Sequence, residues 1–101
     1  YHYRDWVIRS LNSDMPYDQF VRLQLAGDKL SPDDYHAAAA SGFLVAGPYP
    51  GQITAKTVEG IRYDQLDDML MTIGGSMLGL TLGCVRCHDH KYDPLPQTDY
   101  Y

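Results

Sequence analysis

The sequence predicts an all-α fold, a small bundle of about four helices interrupted by one long irregular loop. Apolar side chains recur at helical spacing in three segments before residue 43, and most regularly between residues 66 and 84. No segment alternates apolar and polar residues in the manner of a half-buried strand. With 101 residues, the chain has the length of one small domain, and we expect residues 1–101 to form a single domain.

Three short helices are predicted in the first part of the chain. Residues 3–12 form one amphipathic helix with charged side chains opposite the apolar ones. A second helix begins at Tyr17 and ends at Gly27, a residue that tolerates the left-handed conformation of a helix end. A third begins after Ser31, which is followed by proline and two acids, and it ends at Gly42.

A long loop and a long helix follow. Residues 43–60 contain several glycines and prolines without a sustained period, which predicts an irregular loop. The next segment places six apolar side chains on one helical face, a stripe that would lead directly to the first cysteine. These residues are Leu66, Leu70, Ile73, Met77, Leu80 and Cys84.

Three glycines lie four residues apart on another side of this predicted helix, at positions 75, 79 and 83. A glycine inside a helix costs about 1 kcal/mol relative to alanine, so three in register need an explanation. Either a flat group or another backbone approaches this surface closely, or the helix is weak and breaks at Gly74-Gly75. The sequence leaves both interpretations open.

The motif Cys84-Val85-Arg86-Cys87-His88 bears most directly on chemistry. It has the C-x-x-C-H form by which a chain binds haem covalently. Two thiols separated by two residues reach the two vinyl groups of one porphyrin, and the following histidine is delivered to the iron. We therefore expect Cys84, Cys87 and His88 to bind a c-type haem, with His88 as the proximal iron ligand.

Other chemistry is open to the same residues. Cys84 and Cys87 could form a redox disulfide, although that interpretation expects a βαβ context that the pattern lacks. They could also supply half of a zinc site with His88 or His90, which would then need a distant ligand such as His36 or an aspartate. No other cysteine is present to complete such a site.

The composition excludes some partners. The formal net charge is −5, and no two basic residues are adjacent, so nucleic acid is not an expected partner. The uncharged stretch at residues 69–85 is short for a membrane span and contains several glycines and hydroxyl side chains. We therefore interpret it as a buried helix, and expect a chain that does not span the membrane.

The sixth iron position would decide what a haem does here, because a strong second ligand favours electron transfer and an open site favours ligand binding or catalysis. His90 follows His88 too closely to reach the opposite face, since two residues span at most about 7 Å. We assign His90 and Asp93 a supporting role, such as a hydrogen bond to a haem propionate. Candidates for the distal ligand are Met69, Met77 and His36.

With the motif and its flanks, the sequence resembles the planctomycete-type cytochrome c domain of large exported multidomain bacterial proteins. The resemblance covers nearly the whole chain. It is carried by YRDWVIRSLN at residues 3–12, MPYDQFVRLQLAGD at 15–28, SGFLVAGP at 41–48, and DQLDDMLMTIGGSMLGLTLGCVRCHDHKYDPLPQTDYY at 64–101.

This resemblance implies haem c attached at Cys84, Cys87 and His88, with His90, Lys91, Asp93 and Pro94 belonging to the family signature. It also implies export to the periplasm or cell exterior, other haem or redox domains as partners, and a chain that is the central portion of a larger domain. The function it implies is electron transfer. The alternatives are a haem enzyme or sensor with an open sixth site, and a zinc-stabilised structural module.

Overall fold

A computed structural model describes all residues from Tyr1 to Tyr101, and every regular element in it is a helix. The predicted all-α class is therefore confirmed. The chain divides into two compact units, Tyr1–Ala46 and Gly47–Tyr101. No helix in either unit combines the length and the apolar character needed to cross a membrane.

The first unit contains four helices: α1 (His2–Asn12), α2 (Tyr17–Leu30), α3 (Tyr35–Ala40) and the single turn α4 (Gly42–Val45). The prediction of α1 is confirmed to within one residue.

The core of the first unit is aromatic on one side and made of small residues on the other. Trp6 is buried and stacks on Phe20 with ring centroids 5.0 Å apart. Ala37 and Ala40 of α3 are also buried. Buried Gln24 accepts a hydrogen bond from the Tyr3 hydroxyl at 2.6 Å, so this polar group is satisfied.

The second predicted helix does not end at Gly27. The backbone leaves helical geometry at Ala26, and the helix then resumes and ends at Leu30. Gly27 is needed for packing and not to end the helix, because a Cβ atom there would lie 2.1 Å from the carbonyl oxygen of Ala37. The glycine therefore allows α2 and α3 to approach each other through their backbones.

The third helix starts later than predicted. Ser31 closes α2, and its carbonyl accepts the Asp34 amide in a turn. Asp34 is the N-cap of α3, with its carboxylate accepting the His36 amide at 2.8 Å. The predicted loop is also shorter than 43–60, because α4 occupies its first residues and the next helix begins at Val58.

The second unit contains the long helix α5 (Val58–Ile73), which passes into a π-helical turn (Gly74–Leu78). Two short 3₁₀ helices follow, at Leu82–Arg86 and Gln97–Asp99. The prediction that one helix continues to Cys84 is wrong, because the helix ends at Gly79. Gly74 and Gly75 do not break it but lie where it changes from α-helical to π-helical geometry. Gly79 adopts a left-handed φ of 67°, and the Leu80 amide donates back to the Gly74 carbonyl.

After Gly79 the chain turns back onto α5. A Cβ atom at Gly74 would lie 2.6 Å from Cγ of Leu82, and one at Gly83 would lie 2.9 Å from Sδ of Met71. The returning segment therefore packs where side chains are missing. As a result, Gly75, Gly79 and Gly83 do not line one helical face, and a Cβ atom at Gly75 or Gly79 would meet open space.

The predicted apolar stripe is consequently not a closed core. The returning segment meets the face of α5 that carries Asp64, Asp67 and Met71, at i, i+3 and i+7. Leu66, on the other side, is 44% exposed, and α5 has no buried residue along its length. The stripe predicted from periodicity is therefore left partly open to solvent.

Candidate functional site

The two cysteines lie on a tight turn that displays both sulfur atoms. The amides of Cys87 and His88 donate to the Cys84 carbonyl at 3.3 and 3.4 Å. Both cysteines are free thiols and exposed, while Val85 between them is only 3% exposed. The apolar side chain therefore points into the protein, and the two sulfurs remain accessible on the surface.

The ring of His88 is exposed and is oriented by its own backbone. Its Nδ1 atom lies 2.7 Å from the carbonyl oxygen of Asp89. Because a carbonyl only accepts, Nδ1 carries the hydrogen, and in the neutral ring Nε2 keeps a free lone pair. Nε2 has no hydrogen-bond partner in the protein. This is the state in which a histidine binds a metal ion while its other nitrogen donates to a carbonyl.

His90 is placed quite differently from His88, with a side chain only 8% exposed. Its Nδ1 atom accepts the backbone amides of Asp93 at 2.9 Å and Tyr92 at 3.3 Å, and its own amide donates to the Leu95 carbonyl. Nε2 therefore carries the hydrogen, and it lies 3.4 Å from Oγ1 of Thr81. Both ring nitrogens are engaged by the protein, and the residue closes the loop that follows the motif.

Asp93 lies beside this ring, with Oδ2 3.2 Å from Nδ1 of His90. The two residues that we predicted to have a supporting role are thus in contact with each other. The structure gives them a role in shaping the loop after His88; a hydrogen bond to a haem propionate stays a prediction.

An ionic network that sequence reasoning missed holds the motif on α5. Nη1 of Arg86 lies 2.9 Å from Oδ2 of Asp67, and its Nη2 lies 3.5 Å from Oδ1 of Asp64. The Tyr100 hydroxyl donates to the other oxygen of Asp67. The partners of Asp67 are 19 and 33 residues away in sequence, a separation that no local pattern reveals. The only signal in the sequence for these ion pairs was Arg86, a basic residue within the motif of an acidic chain.

The charges in this network shift two pKa values. The negative charge of Asp67 raises the pKa of the Arg86 guanidinium above its ordinary value. Burial, followed by the hydrogen bond to Asp67, raises the pKa of Tyr100 from 10.0 to about 12. Both residues therefore keep their protons across the physiological range, so Asp67 faces one cation and one hydrogen-bond donor.

The candidate distal ligands belong to two different units. Met69 on α5 and Met77 in the π-helical turn are half-buried residues of the second unit. His36 belongs to the first unit, where it is exposed and its Nε2 atom lies 3.5 Å from Nη1 of Arg9. The identity of a sixth ligand stays a prediction.

A zinc site of the predicted kind would need three or four protein ligands close together. No group of three or more His, Cys, Asp or Glu side chains is placed to hold a metal ion. A covalent haem needs only the two thiols and one histidine from this segment, and those three residues are on one continuous turn.

An all-helical chain that presents a C-x-x-C-H turn has the features expected of a cytochrome c-like domain. The whole chain, residues 1–101, matches the family PSCyt2, described as a protein of unknown function (DUF1549). The chain therefore belongs to this family, whose name agrees with the resemblance to planctomycete-type cytochrome c domains. No curated protein and no solved structure matches the chain significantly.

Proposed function

We propose that this chain is a c-type cytochrome domain that transfers electrons through one covalently bound haem, as part of a larger exported protein or multihaem assembly. The observation that carries the proposal is the turn at residues 84–88. It presents two free thiols and an unengaged His88 Nε2 atom to solvent. Disulfide chemistry would not require that histidine, whereas haem attachment uses all three groups.

Each residue of the turn has a definite task in this proposal. Cys84 and Cys87 would hold the haem through two thioether bonds, and His88 would bind the iron through Nε2. The carbonyl of Asp89 keeps the imidazole in the required tautomer and orientation, 2.7 Å from Nδ1. When bound, the haem supplies one-electron exchange between the ferric and ferrous states of its iron.

The apolar surface of the second unit also supports a large flat ligand. Val85 is the one buried hydrophobic side chain in this unit, while Met71 and Leu78 are substantially exposed. Such exposed apolar side chains gain stability when a hydrophobic group covers them. A porphyrin attached at Cys84 and Cys87 has the apolar surface that could cover them.

The test is haem retention after expression with bacterial haem-attachment machinery. Because thioether bonds are covalent, the parent protein should keep its colour through acid–acetone extraction. Cys84→Ala/Cys87→Ala should lose all of it, and the volume-conserving control Met71→Leu should keep it. Complete extraction from the parent, or equal retention in the double variant, would refute covalent attachment.

The same preparation separates an electron carrier from a haem enzyme or sensor. For a carrier, we expect a low-spin ferrous spectrum that carbon monoxide changes slowly or not at all, since a second strong ligand occupies the iron. A fast and complete change with carbon monoxide would contradict electron transfer as the function, and would indicate an open sixth site.

A further inference from the structure

The Asp67 carboxylate connects three parts of the second unit. It lies on α5, and its side chain is only 17% exposed. One oxygen binds the Arg86 guanidinium at 2.9 Å, and the other accepts the Tyr100 hydroxyl. A half-buried carboxylate with two donors of this kind is well satisfied, and it restrains both donor side chains.

Arg86 is restrained at its backbone as well as at its side chain. Its carbonyl oxygen accepts Nε2 of Gln97 at 2.9 Å and the Tyr101 hydroxyl at 3.1 Å. The backbone amide of Gln97 donates to Oδ1 of Asp89 at 2.7 Å. The C-terminal segment thus contacts the motif on both sides of its histidine.

These contacts lie next to the exposed residues of the motif. Cys84, Cys87 and His88 are exposed, and two long backbone hydrogen bonds close their turn where the 3₁₀ helix ends at Arg86. Ordering such a segment at the moment of binding costs conformational entropy, whereas a segment already ordered binds without that cost. The contacts made by Arg86 therefore restrain the shape of the turn, in addition to the burial of Val85.

We propose that Asp67 is a positioning residue that holds the turn at Cys84–His88 in its binding conformation, through Arg86, before any cofactor is attached. This inference rests on the proposed function for the identity of the cofactor as haem. The order of the free turn itself does not depend on that identity. Asp67 touches neither the thiols nor the histidine, and acts through Arg86 and Tyr100.

The first measurement uses the haem-free protein. Asp67→Asn keeps the size of the side chain and removes its charge, and should speed hydrogen exchange at the Cys87 and His88 amides about tenfold or more. The matched control is Asp68→Asn, the next residue on α5, whose carboxylate lies against Gly47 rather than Arg86. This control should leave both amides at the parent rate. Equal acceleration in the two variants would overturn the proposal.

A double-mutant cycle distinguishes positioning from general weakening. Arg86→Ala keeps the Asp67 charge and should accelerate the same amides, and the double variant should be no faster than the faster single variant, because both remove one interaction. Effects that multiply would show that the residues act independently, which would contradict the proposal. The α5 amides distant from the network, which should be unchanged in every variant, report whether the helix itself has been lost.

The second measurement is the amount of covalent haem per chain under limiting haem supply, where Asp67→Asn should retain several-fold less than Asp68→Asn. The two proposals then fail differently. A parent that takes no haem refutes the cytochrome function, while amide acceleration in Asp67→Asn would still support the positioning role. A parent that retains haem, with Asp67→Asn equal to Asp68→Asn in exchange and loading, refutes the positioning role alone.

Discussion

At the scale of single residues, Tyr100 has a strongly raised pKa. Its hydroxyl donates to Asp67, which also binds Arg86. In the folded chain its pKa is about 12, against 10.0 for a free tyrosine. The folded state therefore keeps this proton to higher pH than the unfolded state does. The resulting stabilisation is complete below pH 10 and is lost as the pH rises toward about 12.

Tyr100→Phe should therefore flatten the alkaline part of the stability profile. At neutral pH the variant should unfold about 1 kcal/mol more easily, because a hydrogen bond is lost. Between pH 10 and 12 the parent should lose stability more steeply than the variant, as shown by urea unfolding at each pH. Tyr63→Phe, at an exposed position on α5, is the control. Parallel profiles for Tyr100→Phe and the parent would contradict the raised pKa.

At the scale of the elements, local signals predicted what local interactions determine. The period of residues 3–12 predicted α1 to within one residue, and the pair Gly74-Gly75 lies where the long helix changes to π-helical geometry. Periodicity could not predict the reversal after Gly79, because Leu80 and Cys84 continue the helical pattern by spacing alone. The reversal depends on packing at Gly74 and Gly83, which the tertiary fold creates.

In the candidate site, too, the sequence predicts what neighbouring residues determine and misses what tertiary contacts determine. Cys84, Cys87 and His88 were identified because their chemistry is encoded in five consecutive residues. The partners of Arg86 lie in α5 and near the C-terminus, so they become neighbours only when the chain folds. The tautomer of His88 was equally beyond the sequence, since it depends on the position of one backbone carbonyl.

Two glycine substitutions should have opposite effects on helix stability. Gly27→Ala would place a Cβ atom 2.1 Å from the Ala37 carbonyl, so α2 and α3 must separate, at a cost of about 1–3 kcal/mol or more. Gly60→Ala on α5 meets no atom within 4 Å and should stabilise by roughly 0.5–1 kcal/mol through helix propensity. Thermal unfolding followed by circular dichroism compares them. A neutral Gly27→Ala would contradict the close approach of the two helices.

At the scale of the whole molecule, the two units differ in how they are stabilised. The first buries Trp6, Ala37 and Ala40, whereas the second buries only Val85 among its hydrophobic side chains. A unit of this size with so little core gains much of its stability from bound groups or covalent links. In the proposed function, the haem supplies that contribution to the second unit.

Hydrogen exchange should report this difference directly. In the haem-free protein, we expect the amides of α5 to exchange about tenfold or more faster than those in the middle of α1 and α2, because opening α5 exposes little buried surface. Haem attachment should slow the α5 amides selectively. Mass spectrometry of peptides from each helix makes the comparison. Equal protection of the two units in the haem-free protein would contradict it.

The exposure of both cysteines allows haem-free chains to become linked to one another by disulfide bonds. A protein with one accessible thiol can only dimerise when it is oxidised, whereas two accessible thiols make each haem-free chain bifunctional. Air oxidation could then link such chains into linear oligomers of increasing length, in competition with a bridge between the two neighbouring sulfurs. Two thioether bonds would end both reactions, because no free thiol remains.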